Sequence, residues 1–305
     1  MGIIMGMKRL LSLSGAVLLV LGLQVQAMPE TRAAAPAAAA AVVAASPTTG
    51  DACGPRVRRP NLVGFYKCTF VDQFDGNALN SQYWHVMDGP SGSLACNLDN
   101  PQTVSVGSGI LRLTAQPSGG AAQCPQRADG TRAPYATGAV NTFWKWSQQY
   151  GRFEARMKSD AARGPGAHEA FWLWPDTRYS SDASWPASGE IDIAETYAAY
   201  PDLAIPFLHY SWNDNGGPRH GLNTAWNCAA TRGQWHTYAL EWTAYKLIIK
   251  VDGRTCLINT DGAASFRKRF IMAFSQLVSD SGVNKITSAS VLPSTLEVDY
   301  VKVWQ

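Results

Sequence analysis

The chain has 305 residues, with 26 Lys and Arg against 23 Asp and Glu, for a formal charge of +3. That near balance, with no basic run, gives no support for a nucleic acid or an anionic membrane surface as partner. Six cysteines, Cys53, Cys68, Cys96, Cys124, Cys228 and Cys256, form no C-x-x-C pair, so the spacing disfavours zinc and, in an exported chain, points to disulfides, with nearest-neighbour pairing the simplest connectivity.

In chain order, the first segment is a leader. "MKRLLSLSGAVLLVLGLQVQA" has a basic start at Lys8 and Arg9, an apolar run from Leu10 to Leu23, and small-residue cleavage signals at Val25-Gln26-Ala27. Residues 1–27 therefore read as a secretory signal peptide, with Met7 an alternative start. The apolar run falls short of the about 20 residues that a membrane span needs, and no other stretch competes with it. Removal of Lys8 and Arg9 leaves the remainder close to neutral. Residues 28–50, "MPETRAAAPAAAAAVVAASPTTG", are Ala/Pro-rich and carry no aromatic residue. They read as a disordered linker, because Pro36 and Pro47 break the Ala-rich helix that is the alternative. The folded domain is expected to span 51–305.

Within it, short runs rich in β-branched and aromatic residues alternate with Gly, Pro, Asn and Asp. "CTFVDQF", "ILRLTAQ", "GAVNTFWKW", "YGRFEARMK", "EAFWLWP", "EIDIAETY", "HTYALEW", "RFIMAFSQ" and "LEVDYVKVW" each predict a strand. "LIIKVDGRTCLI" predicts a hairpin turning at Asp252-Gly253. No amphipathic helix of three turns is visible, so the fold class is all-β, a two-sheet sandwich or jelly roll.

The chain holds 11 Trp, more than a sandwich core requires. Strand alternation would put Trp144 and Trp146 on one face, and Trp172 and Trp174 on another. Each could simply be core; the functional alternative is a platform for sugar rings, whose flat apolar faces stack on indole while their hydroxyls reach polar neighbours.

"WPASGEIDIAE", residues 185–195, crowds three acids into six positions: Glu190, Asp192 and Glu195. Strict alternation puts Glu190 and Asp192 on one face and Glu195 on the other. A one-residue bulge near Ile193–Ala194 would return Glu195 to the same row. Glu190 and Glu195 would then lie about 13 Å apart at Cα, at ~3.3 Å per residue, with inward-leaning side chains closing much of the gap. Retaining glycosidases need carboxyls about 5–5.5 Å apart and inverting ones about 6.5–9.5 Å, and residue order alone leaves both open, along with a solvated acidic face. A calcium site fits spacing along one strand poorly. Three crowded carboxyls cannot all ionise cheaply, so at least one is pushed towards holding a proton.

The same stretch resembles the signature of glycoside hydrolase family 16, Glu-x-Asp-x-x-Glu on a bulged strand. "FVDQFDGNALNSQYW", "YATGAVNTF", "YGRFEARMK", "AFWLWP", "HTYALEWT", "VDG" and "LEVDYVKVW" are similar to its flanking strands in order, so the resemblance runs from about Thr69 to Gln305. It implies a concanavalin A-like β-jelly roll with a concave substrate cleft and a retaining mechanism. Glu190 would be the nucleophile, Asp192 its electrostatic helper and Glu195 the general acid/base. "WPASGEID" is closest to the bacterial endo-β-1,3-glucanase (laminarinase) type; lichenases typically lack the extra residue. By the same match Trp172, Trp185 and His209 would contact substrate.

Two positions depart from the pattern. His168 and Glu169 in "HEAFW" stand where the subgroup has Trp-Pro, and they are expected around the sugar subsites, away from the acids. "TYAAYPDL" also lacks the usual Gly-containing continuation. Asp299 matches a structural calcium ligand of the family, but Gln73 replaces the usual Glu, so no cofactor is expected and a structural calcium, which the resemblance leaves open, is not relied on. The expectation is a secreted, monomeric endo-glycosidase acting on a polysaccharide, first of all a β-1,3-glucan. Its rivals are another glycan such as a galactan, transglycosylation, or a silent glycan-binding surface protein.

Overall fold

The computed structural model describes residues 50–60, 63–180, 184–211, 219 and 221–305. The leader and all but the last residue of the linker lie outside these. The strands are β1 (Cys68–Asp72), β2 (His85–Val86), β3 (Gly89–Ser91), β4 (Ala95–Asn97), β5 (Val104–Gly107), β6 (Ile110–Pro117), β7 (Tyr135–Asn141), β8 (Gly151–Lys158) and β9 (Ala167–Pro175). They continue with β10 (Glu190–Tyr197), β11 (Leu203–His209), β12 (Cys228–Ala229), β13 (His236–Trp242), β14 (Leu247–Val251), β15 (Arg254–Asn259), β16 (Phe270–Val278) and β17 (Ser294–Trp304), with one 3-10 turn at Ala264–Phe266.

Two antiparallel layers form. The outer one runs β5-β6-β17-β8-β13-β14-β15, with β1 on the distal half of β17. The inner one runs β2-β7-β16-β9-β10-β11-β12. A short β6–β7 pairing joins them at one edge, and β3 and β4 extend β7. This is the expected all-β sandwich, closed by alternation: the odd residues Leu111 and Leu113, Phe153 and Ala155, Phe171 and Leu173, and Ile191 and Ile193 are all buried between the layers. Burying a Leu, Ile or Phe is worth about 1.5–3 kcal/mol each, so this shared face fixes every register. Trp84 and Trp242 belong to the same core.

Most predicted strands occur where their patterns place them, and Asp252 (φ 49°) and Gly253 (φ 76°) make the expected hairpin turn. "GAVNTFWKW" is a correction. Its strand ends at Asn141, whose Oδ1 accepts from the Phe143 amide at 3.0 Å and starts a turn. Trp144 adopts φ 59° there and is 61% exposed, whereas the Trp146 ring packs 4.8 Å from Phe70. The two indoles therefore share no face. Trp172 and Trp174 do share one, with ring centroids 6.1 Å apart.

The six cysteines pair as nearest neighbours, Cys53–Cys68, Cys96–Cys124 and Cys228–Cys256, consistent with folding in an oxidising compartment. Among the described residues no helix is long and apolar enough to cross a membrane.

Candidate active site

The acid row is built by β10. Asp192 pairs with Trp172 on β9 and with Phe207 on β11; the register then slips, and Glu195 pairs with Ala170 and Ile205. Ile193 and Ala194 thus stand opposite the single residue Pro206, which is a β-bulge at the position alternation requires. Proline has no N–H to give to a ladder, and here it sits where the ladder is already interrupted. Before the bulge the even residues leave the core; after it Glu195 and Tyr197 do. The strand is entered from Gly189, at φ 89°, where a Cβ would meet the Ser265 carbonyl oxygen at 2.7 Å. Only glycine fits between the Trp185 turn and Glu190.

Each acid has distinct partners. At one end, Trp185 Nε1 donates to Glu190 Oε2 at 2.7 Å, and its ring lies 5.0 Å from that of His209. His209 pairs with Glu190 across the strands, stacks on Phe207 at 4.2 Å, and brings Nε2 to 3.3 Å from Asp192 Oδ2. At the other end, His168 Nε2 lies 2.9 Å from Glu195 Oε1, and the Tyr197 hydroxyl donates to the same oxygen at 2.9 Å. Trp172 is anchored by Nε1 donating to Ser275 Oγ at 2.9 Å. Of the expected site residues, all six lie on or beside this row.

His168 and Glu169 correct the expectation that both flank the substrate and leave the acids alone. His168 touches Glu195 directly. Glu169, the next residue on β9, points the other way and is 1% exposed. Arg232 grips it at 2.7 Å and 2.9 Å, and Thr196 Oγ1 donates to it at 2.7 Å. It is a structural ion pair beyond the reach of a sugar.

Burial, then the charge of Asp192, push Glu190 up to about 8, while Trp185 and His209 oppose the rise. Asp192 is raised by burial and by Glu195. Burial would raise Glu195 too, but the hydrogen bond and charge of His168, with the Tyr197 hydroxyl, hold it below the ordinary carboxylate range. Burial and mutual repulsion thus favour a proton at the Glu190–Asp192 end of the row and negative charge at Glu195. Such a polarised, water-shielded set of carboxyls can both attack and protonate.

A cleft of about 460 Å³ opens beside Glu195, lined by His168, Tyr197, Tyr200, Phe207 and Trp226 among others. Trp226 is 42% exposed and meets Tyr200 edge-on at 5.0 Å. Trp226 and Phe207 escape a reading of residue order: Trp226 lies in "NTAWNC", which has no strand period, and Phe207 follows a proline. Carboxylate and imidazole atoms of Glu190, Asp192 and His209 lie within 4.8 Å of one another, close enough to share a cation; however, His209 already faces Asp192, and Trp185 faces Glu190. Asp299, the position matching a calcium ligand, instead holds Arg156 Nη1 at 2.6 Å, and a guanidinium there does not fit a cation site.

The family model for glycosyl hydrolases family 16 matches residues 95–274, which include the whole acid row and most of its inner sheet. The chain belongs to family 16. The family chain is 27% identical over 289 residues to glucan endo-1,3-beta-glucosidase A1 of Niallia circulans, an alignment spanning 84% of this chain and 39% of that protein. It is 30% identical over 183 residues to the beta-glucanase of Rhodothermus marinus, spanning 56% of this chain and 63% of the relative. It thus covers less than two thirds of either relative's length. The crystallographic laminarinase from Rhodothermus marinus superposes with a TM-score of 0.66 at 25% identity, over 79% of this chain and 97% of that one. This likeness supports the jelly roll with a concave catalytic face for the family 16 chain as well.

Proposed function

We propose that this chain is a secreted retaining endo-glycosidase that hydrolyses internal β-linkages of a polysaccharide, most simply a β-1,3-glucan. One observation carries the reading: the bulge that turns Glu195 back beside Glu190 and Asp192 on a concave, Trp-lined face. The relatives' names supply the glucan. In the double displacement, Glu190 attacks the anomeric carbon, and Glu195 delivers a proton to the departing glycosidic oxygen. Glu195 then takes a proton from the water that releases the glycosyl group from Glu190. Asp192, kept from ionising freely by burial, passes or holds the proton between them. Trp172 and Trp185 offer stacking faces, and His209 orients Asp192. Residues 1–27 would act as the export leader and 28–50 as the linker to a folded unit at 51–305. All acids come from one chain, so a monomer carries the whole site, and no organic cofactor or metal enters a step.

The resting charges favour a second division of labour, in which Glu195, already anionic, attacks while Glu190 protonates. Under the first reading, one proton must instead move from the Glu190–Asp192 end to Glu195 before the bond breaks. Azide separates the two. The variant lacking the nucleophile yields a glycosyl azide of inverted configuration, and the variant lacking the acid/base yields one of retained configuration. The first experiment measures new reducing ends from laminarin, lichenan, agarose and a galactan, with Glu190→Gln as control. Release from laminarin, lost at least about a thousandfold in the variant, supports the glucanase. Release only from another glycan moves the substrate, and binding without release overturns the enzyme.

A further inference from the structure

His168 and Glu195 form a unit that the acid row does not need for its charge count. Their side chains are 16% and 15% exposed, the Nε2–Oε1 distance is 2.9 Å, and the His168 ring stacks on Tyr197 at 4.3 Å with planes 14° apart. The stack is set by the backbone, since Tyr197 pairs with His168 across β10 and β9 beyond the bulge. Imidazole is thereby fixed with one ring nitrogen on the carboxyl oxygen, a group able both to give and to accept a proton in that bond. Resting on the reading of Glu195 as acid/base, we propose that His168 is a positioning residue that shares with Glu195 the proton used on the leaving group.

The balance is simple. Once a proton has moved over from the Glu190–Asp192 end, the loaded pair holds it between Oε1 and Nε2. As the glycosidic C–O bond breaks, that proton forms the O–H of the departing sugar, leaving the pair as carboxylate and neutral imidazole. The attacking water then returns one proton to the pair as its oxygen bonds to the anomeric carbon. Such a proton belongs to the pair and to neither residue alone, so removing the imidazole changes the pH at which it is lost.

Among the described residues, the groups around the pair come from three strands and one loop. From β10 come Tyr197, donating to Oε1, and Asp192; from β11, His209, whose charge acts on Glu195. β16 places Leu277 opposite His168. Asp280, on the loop lining the same cleft, is engaged by the Ser93 hydroxyl at 2.8 Å and amide at 3.3 Å. Glu169 on the same strand faces away, to Arg232.

The test is the pH profile of kcat/KM on laminarin. His168→Gln keeps an N–H donor to Oε1 but cannot hold a proton, so the alkaline limb is expected to move down by about one pH unit while the acid limb stays. A uniform fall with both limbs unmoved overturns the proposal and leaves His168 as packing. Should that variant misfold, His168→Ala is assayed with added imidazole or pyrazole. Rescue of the alkaline limb by imidazole alone supports proton sharing; rescue by both, or by neither, overturns it. Wild-type protein inactive on every glycan would sink the enzyme reading itself. An active wild type, a dead Glu195→Gln and an unmoved limb in His168→Gln would sink only this inference.

Discussion

The two sheets carry similar acids in opposite company. On the outer sheet, Glu241 takes Arg152 at 2.8 Å and Lys250 at 2.7 Å, Glu154 takes Arg152, Glu297 takes Arg112 at 3.1 Å and Lys158, and Asp299 takes Arg156 at 2.6 Å. On the inner sheet, Glu190, Asp192 and Glu195 meet indole, imidazole and phenol groups among the described residues. Arginine cannot release its proton, so an acid facing it is fixed as an ion. Donors that are neutral or that titrate leave the acid free to change state. Glu169 and His168 bring the contrast down to adjacent residues: one belongs to the neutralised class, the other to the working class.

Breaking the neutral class should cost stability first. Glu169→Gln leaves Arg232 buried without its anion, and the expected loss is about 3–5 kcal/mol, a fall in Tm of about 10 °C. Thermal melts check this, and turnover measured well below the transition should be retained. Converting the working class is next in size. His168→Arg places a permanent cation on Glu195, and kcat/KM should drop at least about a hundredfold across the whole pH range, as expected when general acid catalysis is lost. Retained activity would mean that the nature of the partner is immaterial.

A smaller change sharpens the comparison at the other end. The Trp185 N–H favours ionised Glu190, so Trp185→Phe should move the acid limb of kcat/KM to higher pH and lower activity by about tenfold at neutral pH, the scale of one hydrogen bond to a charged group. Stability against pH carries the same comparison to the whole fold. Glu190 is raised from 4.5 to about 8 in the folded chain, so the native state holds its proton more tightly than the unfolded one. Its contribution is complete below pH 4.5 and is lost as pH rises through about 8. Asp192 acts in the same sense. Tm should therefore fall by up to about 10 °C between pH 5 and pH 8, and Glu190→Gln should flatten that slope.

Much of this was legible from residue order, for physical reasons. β10 and β13 coincide with the runs "EIDIAETY" and "HTYALEW", because a strand buried on one face must alternate. The bulge was legible because only it reconciles a five-residue acid spacing with one face. β11 was invisible, since Pro206 in "LAIPFLH" argues against a strand unless its partner is known to bulge. Trp144 was misplaced because a side-chain turn at Asn141 leaves no mark on an alternating pattern. His168 was singled out as a departure, yet its place on Glu195 depends on the pairing of β9 with β10, which no single strand encodes.

The bulge also bears on how this strand can change in length. Removing Ala194 would turn the run into Glu-Ile-Asp-Ile-Glu-Thr-Tyr, in which regular alternation puts both glutamates, the aspartate and the tyrosine on one face again. A single deletion is thus phase-preserving for the strand taken alone, while sliding its second half one step along its neighbours. The same deletion in any unbulged strand of this sandwich would turn its core residues out to solvent. At Ile193–Ala194 the strand can lose a residue without a change of face, and His168, fixed on β9, is the part that would have to find a new neighbour.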